Sequence, residues 1–132
     1  MGEKKLPIKL PQRALTNIDL GKYVKKLRIR KFRGIFMRNE LPLKIYSKEC
    51  GIINMDDSNG PGTHWTAYVK KKQQILYFDS MGKLKPPKEV VTYFHSNGGS
   101  NNKIKYNNDR VQKYNSINCG HLCLKFLYVN TL

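Results

Sequence analysis

Two short runs constrain this chain more than anything else in it: His64-Trp-Thr-Ala-Tyr-Val69 and Gln74-Ile-Leu-Tyr-Phe-Asp79, joined by Lys70-Lys-Lys-Gln73. Both are rich in aromatic and β-branched residues, and the connection between them is short and polar, so a β-hairpin is predicted. In an antiparallel pair the start of one strand lies beside the end of the next. His64 opens the first strand and Asp79 closes the second, so an imidazole and a carboxylate far apart in sequence are expected at the same end of a sheet.

A second feature fits this edge. The polar, turn-prone run Gln112-Lys-Tyr-Asn-Ser-Ile-Asn118 ends at Cys119-Gly120, and an apolar periodic segment follows to about Val129. Cys119 is therefore expected at the mouth of a helix. Cys119, Leu122, Cys123, Phe126 and Leu127 are predicted on its buried face, with His121, Lys125 and Tyr128 opposite. First-turn amides and the helix dipole favour a thiolate, which with a cationic partner lowers a cysteine pKa from about 8.5 to roughly 3.5–7.5.

The rest of the chain supplies a framework. Thr16-Asn-Ile-Asp19 is a capping-box pattern, and Leu20, Tyr23, Val24 and Leu27 follow at helical spacing. Arg28–Arg38 alternates basic and apolar residues, either a strand or a loop with one buried face. Its basic side chains suit a groove wall or a protected sheet edge equally well. Cys50–Asn54 is expected as a short buried strand, and Asp56–Gly62 as a turn. Pro86-Pro87 introduces a short helix over Lys88–Phe94 that suits packing on the sheet. Ser96–Asn102 is expected as a flexible loop, and Lys103–Tyr106 is a further strand candidate. Residues 1–15 show no sustained period and are expected as an extended basic arm on one domain of 132 residues.

Charge narrows the partners. The sequence holds 25 basic and 9 acidic residues, a formal +16, which suits polyanions, nucleic acid first among them. Three cysteines and no secretory signal point to free thiols in a reducing compartment. With no apolar run of transmembrane length, a soluble intracellular protein without membrane partners is expected.

These residues match one chemistry. A cysteine protease needs a thiolate, an imidazole to take and return its proton, a group orienting the imidazole, and donors for the oxyanion. Cys119, His64 and Asp79 supply the first three. The Gln112 side-chain amide and the Cys119 backbone amide supply the donors. Cys123, a turn inside the helix, and Cys50, beside Ile52-Ile53, suit core packing. His121 lies on a different helix face from Cys119 and Cys123, so no zinc site is expected.

The order Gly-Thr-His64-Trp65, Tyr-Phe-Asp79-Ser, Gln112 and Asn-Cys119-Gly-His-Leu-Cys resembles the adenain family, the adenovirus endopeptidases, and more broadly the clan of SUMO and ubiquitin-like proteases. Tyr23-Val-Lys-Lys-Leu, Phe32-Arg-Gly34-Ile-Phe and Glu49-Cys-Gly-Ile-Ile-Asn54 extend the likeness upstream. The wording is also similar to proteases of invertebrate DNA viruses and Maverick/Polinton-type elements. The resemblance implies an α+β fold: a central, mostly antiparallel sheet flanked by helices, in a papain-like clan with a circularly ordered His-Asp-Cys triad. It implies cleavage of viral or mobile-element structural precursors at Gly-containing sites, in the host nucleus and the virion, with Gln112 in the oxyanion hole and Trp65 lining the site beside His64. No cofactor is implied as a requirement, though DNA activates adenain. Adenain also holds an activating peptide by a disulfide. The loop before Gln112 has no cysteine, so that link has no counterpart here. The sequence stops soon after Cys119, where adenain continues, which keeps open an inactive DNA-binding protein on the same scaffold; a second alternative, a deconjugating protease for SUMO-like or ubiquitin-like modifiers, uses the same chemistry on a different substrate.

Overall fold

The structure, a computed structural model, describes residues 5–56, 64–82, 85–97, 103–107 and 118–132. Gln112, most of the predicted 56–62 turn and the 98–102 part of the predicted loop lie outside the described residues.

Helix α1 spans Asn17–Lys26 and begins as its sequence dictates. The Thr16 hydroxyl accepts from the Asp19 N–H at 3.1 Å, and the Asp19 carboxylate accepts from the Thr16 N–H at 2.9 Å. Together they satisfy two N–H groups that the helix start leaves without partners. Arg13 pairs with Asp19 at 2.6 Å. That hydrogen bond, with those from Thr16, holds the Asp19 carboxyl well below the usual carboxylate range. Leu20, Tyr23 and Val24 face inward, as their spacing predicts.

Five strands follow: β1 (Phe32–Met37), β2 (Lys48–Asn54), β3 (Trp65–Lys71), β4 (Gln74–Phe78) and β5 (Lys103–Tyr106). They form one sheet in sequence order. The predicted hairpin is β3–β4, with Lys71 opposite Gln74. The three central strands are antiparallel, as expected, while β1 runs parallel to β2 and β5 parallel to β4. Parallel neighbours require a crossover. Helix α2 (Lys88–Phe94) lies on the crossover between β4 and β5. Arg28–Arg38 resolves into a turn followed by an edge strand, with Arg28 and Lys31 both in the left-handed conformation.

Alternation along the strands sorts the core onto two faces. Cys50, Ile52, Trp65, Ala67 and Val69 pack against α1 and against α3 (Cys119–Asn130). Ile53, Tyr68, Ile75 and Tyr77 pack against Val90, Tyr93 and Phe94 of α2. On the α2 face the buried Glu49 carboxylate accepts from the Tyr68 hydroxyl, the Tyr93 hydroxyl at 2.7 Å, Arg33 at 2.9 Å and the Tyr46 N–H at 2.8 Å. A buried charge is tolerated when paired and hydrogen-bonded in this way. Gly51 makes room for it, because a Cβ there would lie 2.8 Å from the Tyr68 ring.

The predicted buried face of α3 is corrected. Its buried residues are Cys119, Gly120, Cys123, Leu124 and Leu127, whereas Leu122 and Phe126 are only partly covered. The helix is wedged between β3 and α1, so it buries a broad arc rotated from the one its most apolar residues suggested. Gly120 permits the wedge: a Cβ there would meet Leu15 at 3.2 Å and Leu20 at 3.3 Å. The arm over residues 5–15 has no regular structure but lies against this helix. Leu6, Ile8 and Leu10 pack on the core, and the His121 ring meets the Pro11 carbonyl at 2.6 Å. Among the described residues, no helix is long and apolar enough to cross a membrane.

Candidate active site

Three elements converge at one end of the sheet. Helix α3 starts at Cys119, after Asn118 at its N-cap, and no side chain caps it. Its first amides are therefore available to other acceptors. The Gly120 amide and the Trp65 amide at the start of β3 both favour the anionic form of the thiol. His64 precedes β3, and its carbonyl accepts from the Met55 N–H at 2.8 Å, which ties it to the end of β2. Asp79 follows β4 and is almost wholly buried.

The three side chains act on one another. His64 Nε2 lies 2.8 Å from Asp79 Oδ1. The imidazole and the Cys119 thiol shift each other's pKa. With Nε2 given to the carboxylate, Nδ1 is the nitrogen left for sulfur. Asp79 Oδ1 also accepts from the Met81 N–H at 2.9 Å, so the carboxylate is held from two sides.

Electrostatics follow the geometry. The hydrogen bond to Asp79, then that to Cys119, raises the His64 pKa to about 9 despite partial burial, and the two negative charges add to the effect. Burial pushes the Cys119 thiol up. His64, through its hydrogen bond and charge, and the Trp65 and Gly120 amides outweigh burial, and the net shift is below the ordinary 9.0. The other thiols shift oppositely. Burial raises Cys50 to about 12 and lifts Cys123, which is fully enclosed, well above its ordinary value. Among the three thiols, Cys119 alone has its pKa lowered.

Trp65 stands next to His64 in the chain, and its side chain is built into the core. The indole N–H donates to the Leu15 carbonyl at 3.1 Å, linking the arm to the start of β3. Gln112 belongs to the undescribed residues. His121 is turned to Pro11 and Cys123 is enclosed, so the two do not converge on Cys119.

One neighbour escaped the sequence. The Asn107 carboxamide accepts from the Asp79 N–H at 2.9 Å and donates to the Asp79 carbonyl at 2.7 Å. Asn107 directly follows β5, and the parallel register, with Tyr77 opposite Tyr106, brings it level with the end of β4. Its side chain continues the ladder where the backbone leaves it. The one signal was a polar residue ending a strand candidate, and it acquires meaning only once β5 is known to pair with β4.

No protein-family model matches the sequence, and no curated protein matches it. Among solved structures, the ASFV pS273R protease superposes with a TM-score of 0.64 at 18% identity, covering 92% of this chain and 58% of that one. Its selenomethionine form gives 0.58 at 18% identity over 92% and 59%. The SUMO protease Ulp1, with its catalytic cysteine oxidized to a sulfinic acid, gives 0.48 at 14% identity over 87% and 50%, too loose a likeness to argue from. The chain spans less than two thirds of the length of these proteases. What it shares with the ASFV pS273R protease is the fold, an α+β arrangement of a five-stranded mixed sheet between helices.

Proposed function

We propose that the protein is a cysteine endopeptidase. The observation that carries this reading is the Asp79–His64 hydrogen bond together with the mutual effect of His64 and Cys119, the thiol pKa lowered and the imidazole pKa raised. In the mechanism that follows, the Cys119 thiolate attacks the scissile carbonyl and His64 carries the proton. His64 then donates that proton to the leaving amine, and water releases the acyl group from sulfur with the imidazole as base. Asp79 keeps Nε2 engaged, so that Nδ1 faces the sulfur. The Cys119 amide and the Gln112 side chain are assigned to the oxyanion, Gln112 on the strength of the sequence resemblance. Trp65 is assigned to the wall of the site beside His64.

The substrate class proposed is viral or mobile-element structural precursors cut at Gly-containing sites, in the nucleus or the virion, with DNA as a partner and activator. Its support is the motif set around His64, Asp79, Gln112 and Cys119 together with the +16 charge. A library of Gly-containing peptides, incubated with the wild type, Cys119→Ala and His64→Ala, with and without duplex DNA, tests it. Cleavage is expected from the wild type, none from Cys119→Ala, and a loss of roughly 100- to 10,000-fold in His64→Ala. Cleavage that survives Cys119→Ala overturns the assignment.

A further inference from the structure

The opposite end of the sheet holds a feature that the chemistry at Cys119 does not use. A concavity of about 220 Å³ opens between the end of β3, the start of β2, the turn before β1 and the C-terminal end of α3; its wall is largely apolar and includes the buried Cys50 and Val69, and Arg30, Lys31, Lys48 and Lys71 contribute exposed basic side chains around it. At about 3.3 Å per residue, β3 separates it from the thiol by roughly 20 Å.

Its charges are uncompensated. Lys48 and Lys71 are directly opposed across β2 and β3, an arrangement of like charges that destabilises a sheet. Arg30 and Lys31 add two more exposed cations. Lys31 sits at φ 60°, a conformation glycine adopts with less strain, and its carbonyl is held by the Cys50 N–H at 3.0 Å. None of these four side chains has an ion-pair partner among the described residues. Glu49 borders the concavity, but its carboxylate is taken up by Tyr68, Tyr93, Arg33 and the Tyr46 amide on the other face. The Lys70 ammonium is likewise spent on the Ser47 and Lys72 carbonyls. The C-terminal end of α3 offers roughly half a negative charge, enough to favour one cation and not four.

We propose that this concavity is a binding site for two or more neighbouring phosphate groups, carried by a soluble oligophosphate or by a nucleic-acid backbone. Four unpaired cations around a small opening match the charge and size of such an anion, and its arrival relieves the Lys48–Lys71 repulsion. The site stands independently of the reaction assigned to Cys119.

Titration calorimetry of the full chain with inorganic tripolyphosphate tests it. Saturable one-site binding is expected, about tenfold or more weaker in Lys48→Gln/Lys71→Gln. The pair Lys9→Gln/Lys25→Gln removes the same charge elsewhere and is expected to bind within about twofold of the wild type. Without ligand, Lys48→Gln/Lys71→Gln is expected to melt no lower than the wild type, since it removes a repulsion. Should it fail to fold, Arg30→Gln carries the same test. Displacement of tripolyphosphate by a short DNA duplex identifies the nucleic-acid backbone as a source, and no displacement identifies the soluble one. Absence of saturable binding, or equal weakening in both lysine pairs, overturns the proposal.

Discussion

Cys119 and His64 divide a proton in a way that sets the pH range of the site. Below the thiol pKa the sulfur is protonated, and above about 9 the imidazole is neutral, so the thiolate–imidazolium pair occupies the window between. Peptide cleavage should follow a bell whose two limbs belong to the coupled pair. Asp79 is the first cause of the raised imidazole pKa, so Asp79→Asn should move the alkaline limb down and reduce turnover roughly 100-fold or more, read from kcat/KM across pH. An unmoved limb would remove Asp79 from its role. Stability carries the same signature with a fixed sign. Folding raises the His64 pKa from 6.5, so its contribution is complete below 6.5 and is lost as pH rises through about 9. The Cys119 shift acts in reverse and is lost as pH falls. Asn107→Ala leaves the Asp79 N–H and carbonyl without their side-chain partner, which costs about 1–3 kcal/mol. It should also lower the alkaline limb by loosening Asp79, a shift that a purely structural residue would not produce.

At the scale of elements, legibility in the sequence tracked the locality of the signal. Thr16 and Asp19 close a capping box within four residues, and Lys72-Gln73 turn one strand directly into the next, so both features were readable. The hairpin also delivered the His64–Asp79 neighbourhood, because strand pairing alone brings those residues together. Parallel pairing of β1 with β2 and of β4 with β5 depends on crossovers and leaves no mark in the strands themselves. Asn107 was hidden for the same reason. Helix α3 was legible in period but not in phase. Its residues are apolar nearly all round, and only packing between β3 and α1 decides that Leu124 is enclosed while Leu122 is half-covered. Leu124→Ala should cost about 2–5 kcal/mol in chemical denaturation and Leu122→Ala clearly less. Equal losses would restore the face that periodicity predicted.

For the whole molecule, the +16 charge and the arm act at the surface. The lack of a sustained period marked residues 1–15 as an extended arm, and that signal could not say where it lies. The apolar positions between its charges, Leu6, Ile8 and Leu10, are what dock it beside α3. The net charge predicts duplex DNA binding whose affinity falls steeply with salt as counterions are released, measured by fluorescence anisotropy between low and physiological ionic strength. Binding that ignores salt would leave the charge as a surface property. The central claim, that the fold prepares one of three thiols as a nucleophile, is tested most directly on the intact chain. A thiol-directed peptide probe near neutral pH, mapped by mass spectrometry, should label Cys119 and leave Cys50 and Cys123 unmodified, and His64→Ala should slow that labelling sharply. Equal labelling of Cys119 and Cys123, unaffected by His64→Ala, would contradict it.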